Sequence, residues 1–89
     1  MFGERKETNS VKDIVASISE LREDSTVPKN VKEKVQELIE TLNNEKSELS
    51  MRIDKALQIL DDIAEDSNLQ SYTRTQVWNL VSKLEKVAE

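Results

Sequence analysis

Eighty-nine residues are one domain's worth of chain, too short for two ordinary cores, and they carry 18 acidic against 13 basic side chains for a net charge of −5. With no cysteine and no histidine, there is no disulfide framework, no thiolate nucleophile, no Cys-based zinc site and no imidazole for acid–base or metal chemistry. The acid surplus argues against nucleic-acid binding by bulk charge, and no apolar run nears the ~20 residues of a membrane helix.

Residues 1–9 are polar and unpatterned apart from Phe2, and are expected to form a frayed or disordered tail. They hold no apolar run of the kind a signal peptide needs, so the chain reads as cytoplasmic. A first helix is predicted after Asn9-Ser10, with Ser10 and Asp13 spaced as a capping box. Val11, Ile14, Val15, Ile18 and Leu21 give it one apolar stripe. "REDSTVP" breaks the pattern, and Pro28 suits the first turn of a second helix, where its missing N–H costs nothing. That helix carries Val31, Val35, Leu38, Ile39 and Leu42, and yields at "NNEKS", where Asn43 or Asn44 suits a left-handed C-terminal conformation.

A third helix, from about Leu49 to Ala64 and capped by Ser47 or Ser50, presents Leu49, Ile53, Ala56, Leu57, Leu60, Ile63 and Ala64. After "EDSNLQS" a fourth runs from about Gln70 to Val87, on Val77, Leu80, Val81, Leu84 and Val87 or Ala88. With aromatics at only 3%, the core must be built from Leu, Ile, Val and Ala. The prediction is an all-α fold, a compact four-helix bundle over residues 10–89.

Sliding the chain by 42 residues lays Val11–Leu42 on Ile53–Leu84. Glu23-Asp24-Ser25 falls on Glu65-Asp66-Ser67, and Val35, Leu38 and Leu42 fall on Val77, Leu80 and Leu84. Lys32 pairs with Arg74 and Val27 with Leu69. We read this as two duplicated αα-hairpins, since one hairpin cannot bury its apolar face alone. Each unit resembles a HEAT-type helical hairpin, but two are too few for a solenoid, which leaves the bundle.

The "EDSTVP" break followed by "VK", and its echo "EDSNLQSYTRTQVWNLVSKLE", resemble a family of small archaeal proteins classed as uncharacterised. Thr73-Arg74-Thr75-Gln76-Val77-Trp78-Asn79 and Leu49-Ser50-Met51-Arg52-Ile53 match that family's segments. Ser67, Leu69, Gln70 and Ser71 depart from it, where it tends to carry prolines, so the fourth helix is expected to start a residue or two differently. The resemblance spans about residues 11–87 and implies a compact helical bundle, with no activity, ligand or catalytic residue to carry over.

Few constellations carry chemistry. Asp61, Asp62, Glu65 and Asp66 offer two i,i+4 carboxylate pairs that could share a divalent cation, but the same acids suit a turn device, which Glu20, Glu23 and Asp24 repeat. A di-metal bundle would need inward Glu and Glu-x-x-His pairs, and the stripes hold neither. Lys29, Lys32 and Lys34, with Arg22 before them, alternate with Glu33, Glu37 and Glu40 and read as a solvated face. A single glycine, Gly3, rules out a phosphate loop, and no cofactor or metal is expected.

Trp78 falls on the shoulder of the fourth stripe beside Arg74 and Glu85, where the other hairpin has Gln36. Either it covers the seam to a neighbouring helix with Arg74 stacked on it, or it anchors an interface, where Trp and Arg are over-represented. In the seam reading Arg74 reaches the acidic turn at Glu65-Asp66. Arg74, Trp78, Tyr72 and Glu85 are the candidate interface. The expected function is non-enzymatic: an interaction module that binds a protein partner or a second copy of itself as a homodimer. The alternatives are cation or small-ligand binding through the acidic turns, and an RNA- or ribosome-associated role that would need a basic face.

Overall fold

The computed structural model describes residues 2–88, and the side-chain environments of residues 11–87. It contains four helices: α1 (Phe2–Glu23), α2 (Lys29–Asn43), α3 (Leu49–Ala64) and α4 (Ser71–Ala88). No strand occurs among the described residues. None of these helices is long and apolar enough to cross a membrane.

The helices follow their stripes, with one extension. α1 begins at Phe2 and takes in the segment expected to be a tail. Glu4, Arg5, Lys6 and Glu7 are good helix formers, and a helix anchored downstream adds them without a new nucleus. Ser10 and Asp13 therefore lie inside α1, and the capping box is not a helix start. Met1 falls outside the described residues.

Each helix packs on the next in sequence, and α4 closes back on α1. Short turns make these neighbours antiparallel, and among the described residues the backbones of the diagonal pairs stay apart. The ring measures 42 × 23 × 20 Å. Its centre is filled by Ile14, Ile18 and Leu21 from α1, Val31, Val35, Leu38, Ile39 and Leu42 from α2, Ile53, Ala56, Leu60 and Ile63 from α3, and Val77, Leu80 and Leu84 from α4. Val11, Val15, Leu49, Leu57, Val81 and Val87 lie only partly buried at the rims.

Two buried residues lie off the predicted stripes. Ile59 is buried one position from Leu60, which widens the apolar face of α3. Thr73, 2% exposed, takes the place that Val31 holds under the 42-residue shift. Val27 and Leu69, the apolar residues of the two "EDS" turns, are buried as plugs at one end of the ring.

The connections differ from expectation in detail. Pro28 is the N-cap of α2 with an extended backbone (φ −59°, ψ 151°), one residue ahead of the first helical turn. Glu48 holds the same place before α3 (φ −64°, ψ 149°) and makes no side-chain cap, so neither Ser47 nor Ser50 caps that helix. Asn44 follows α2 at φ −78°, ψ 91°, and no non-glycine residue among those described has a positive φ. The left-handed ending expected at Asn43 or Asn44 is absent because Asn44 is used for something else.

Candidate functional site

The three connections are versions of one turn. In the first, Asp24 Oδ1 accepts from the Thr26 amide at 2.8 Å and from the Thr26 hydroxyl at 2.7 Å. In the third, Asp66 Oδ1 accepts from the Asn68 amide at 2.8 Å. Asn44 does the same in the middle turn, its Oδ1 accepting from the Lys46 amide at 3.1 Å. In each, the backbone carbonyl of that residue also accepts the amide three positions on, from Val27, Ser47 and Leu69. This is an Asx turn, in which a short side chain supplies the acceptor that turns the chain without glycine.

Eight residues after each Asx residue stands a cation: Lys32, Arg52 and Arg74. Two of the three reach back across the turn. Arg52 Nη1 donates to the Leu42 carbonyl at 3.0 Å and its Nε to the Ser47 carbonyl at 3.0 Å. Arg74 Nε donates to the Ala64 carbonyl at 3.0 Å and its Nη2 to the Asp66 carbonyl at 2.9 Å. Leu42 and Ala64 lie in the last turns of α2 and α3, whose carbonyls have no partner within the helix and carry the negative end of its dipole. A guanidinium there satisfies those oxygens and ties the next helix to them.

The acids of the last turn are spent in the same scaffold. Asp66 Oδ2 accepts from Asn30 Nδ2 at 2.7 Å, joining the start of α2 to the α3–α4 turn, so both "EDS" turns meet at one end of the ring. The Asn68 amide first, then Asn30 and the nearby charges of Lys34 and Arg74, hold the Asp66 carboxyl below its ordinary range against a small desolvation cost. Asp24 is lowered likewise, by the Thr26 hydroxyl first, then the Thr26 amide and Lys32. Asp61, Asp62 and Glu65 are exposed, and no three acidic side chains among the described residues converge as a metal cage.

Among the described residues, the large apolar side chains left exposed are Met51, Tyr72 and Trp78, at 63%, 70% and 47%. At about 100° per residue, Arg74, Trp78 and Glu85 fall within about 40° of one another on the α4 flank that faces α3. Tyr72 lies about 120° round from Trp78, on the flank toward α1, where Gln76 Nε2 donates to its hydroxyl at 3.4 Å. The four residues expected to form one surface are therefore split. Arg74 turns its guanidinium to backbone carbonyls, which leaves Trp78 and Glu85 as the open part.

The sequence pattern gives no role to Asn30 or to the Arg52 side chain, and it points Asn44 to a different one, a left-handed helix ending. A shift of 42 residues pairs the first turn with the last and never sees the middle one; the eight-residue step from Asp or Asn to Lys or Arg would have found it.

Residues 2–87 match the model of the uncharacterised protein family UPF0147. The chain belongs to that family. A UPF0147 protein of Methanosarcina mazei is 41% identical over 70 residues, covering 79% of this chain and 75% of its own length. One from Pyrococcus furiosus is 36% identical over 84 residues, covering 90% of each. A crystal structure of a UPF0147 protein from Thermoplasma acidophilum superposes with a TM-score of 0.88 at 34% identity, covering 93% of this chain and 98% of that one. A crystal structure of MMP1188, described as a protein of unknown function, gives 0.84 at 42% identity over 88% and 89%. The small archaeal family that "TRTQVWN" resembles is thus UPF0147. Within that UPF0147 segment, Arg74 braces the turn and Val77 fills the core.

Proposed function

We propose that this UPF0147 protein is a non-enzymatic, cytoplasmic interaction module that self-associates or binds a protein partner through the α4 flank carrying Trp78 and Glu85. The observation that carries the reading is the half-open indole. Trp78 keeps 47% of its surface exposed on a helix whose inward face is already filled by Val77, Leu80 and Leu84. An indole left open has a large area still to bury, and Trp is the residue most enriched where interfaces gain their affinity. The two hairpins, read as copies, add to this: the first carries Gln36 at the matching position, hydrogen-bonded to Arg22 and Glu40. An aromatic there is dispensable to a hairpin of this kind.

That comparison supplies the test. Trp78→Gln installs the other hairpin's own residue, so the variant is expected to fold with an unchanged melting profile. Sedimentation of the wild-type chain is expected to show reversible association, or capture of a partner from native extract, with Trp78 emission shifting to the blue as the complex forms. Trp78→Gln should abolish both. A wild-type chain that stays monomeric at every concentration, with solvent-like emission unchanged in native extract, would overturn the proposal.

A further inference from the structure

The three joints share one geometry and differ in one residue. Arg52 and Arg74 each fasten the helix they begin to the end of the helix before it. At the α1–α2 joint the equivalent residue is Lys32, which donates no side-chain hydrogen bond among the described residues. An ammonium is a point charge on a flexible stem and lacks the planar fork that grips two carbonyls at once. Lys32 supplies only attraction toward Asp24. We infer that α1 is a separately opening element of this fold, swinging out about the 24–28 turn while α2, α3 and α4 stay packed.

The far side of α1 agrees with this. Its seam with α4 is closed by apolar packing, with no side-chain hydrogen bond across it among the described residues. A groove of about 150 Å³ runs along that seam between Ser17, Glu20 and Leu21 on one side and Gln76, Asn79 and Lys83 on the other. Among the described side chains of α1, residues 11–23, the one polar tie to another helix is Arg22 Nη1 to Gln36 Oε1 at 2.6 Å, whose donor side chain is 40% exposed and also pairs with Glu23. α4, the other terminal helix, is held to the α3 end by two guanidinium bonds, and its turn is held to α2 by Asn30. Burial does not separate the two: α1 contributes Ile14, Ile18 and Leu21, and α4 contributes Val77, Leu80 and Leu84. What separates them is the fastening. Opening uncovers the apolar faces of α2 and α4 that Ile14, Ile18 and Leu21 fill, while the rest of the chain keeps its structure.

Native-state hydrogen exchange on the whole chain, read amide by amide, tests this. The amides of Ile14 and Ile18 are expected to exchange at least about tenfold faster than those of Leu38 and Leu60, the factor one charge-assisted hydrogen bond supplies. Lys32→Arg should slow exchange in α1 alone, and Arg74→Lys should speed exchange of Leu80 and Leu84 in the same way. A common rate for Ile14, Ile18, Leu38 and Leu60 would overturn the inference. So would a folded Lys32→Arg chain whose α1 amides exchange as before.

Discussion

At the scale of single residues, the turn acceptors make an acid-sensitivity prediction. Asp24 and Asp66 are held below the ordinary carboxylate range by donors that exist only in the folded chain. A group with a depressed folded pKa stabilises the fold above its unfolded value, about pH 4, and that contribution is lost as pH falls through the folded value. Asn44 performs the same turn with a neutral side chain, so Asp24→Asn with Asp66→Asn should keep the fold. The double variant is expected to show a shallower decline in melting temperature below about pH 4 in thermal scans; an unchanged decline would refute the assignment. The bracing arginines predict a different contrast. Arg74→Ala should destabilise by about 1–3 kcal/mol in urea unfolding, because two carbonyls lose charged donors. Arg74→Lys should recover only part of that, since the fork is what spans Ala64 and Asp66. These roles were half legible in the sequence. Arg74 stands out in the sequence through Trp78 beside it and its pairing with Lys32, whereas Arg52 follows the middle turn, which the 42-residue shift skips.

Helices, taken one at a time, were the most legible level. α3 runs from Leu49 to Ala64 as its stripe predicts, because Leu49, Ile53, Ala56, Leu57, Leu60, Ile63 and Ala64 recur at helical spacing and the flanking polar runs break the pattern cleanly. Failures came where pattern and physics part. α1 continues to Phe2 because extending an existing helix needs neither an apolar residue nor a new nucleus, and no proline interrupts the segment. Ile59 lies outside a single-stripe pattern because α3 buries a face wide enough for two adjacent rows. Thr73 escaped because a threonine is not counted as core, although it stands where Val31 does. The layered packing of α3 makes a stability prediction: Leu60 is fully buried, so Leu60→Ala should cost about 2–5 kcal/mol, while Leu57→Ala, at the partly buried rim, should cost less. Urea midpoints of the two variants at unchanged slope check the ranking.

For the whole molecule, the surface was harder to read than the interior. Periodicity reports which residues face inward, and it located the core of all four helices. It does not say which flank of a helix an off-stripe residue occupies until the neighbours are placed. Tyr72 and Trp78 are six residues apart on one helix, yet the ring puts them on different flanks. The closed ring has a further consequence, in time rather than in space. Every helix packs on its sequence neighbour, and among the described residues α1 with α4 is the one packed helix pair far apart in the chain, with Asn30 to Asp66 as a single polar tie besides. Little loop entropy must be lost before native contacts begin to form, so contact order is low and the search is short. The chain is expected to fold within about a millisecond after a temperature jump, with α1–α4 closure the one step that depends on the full length of chain between them.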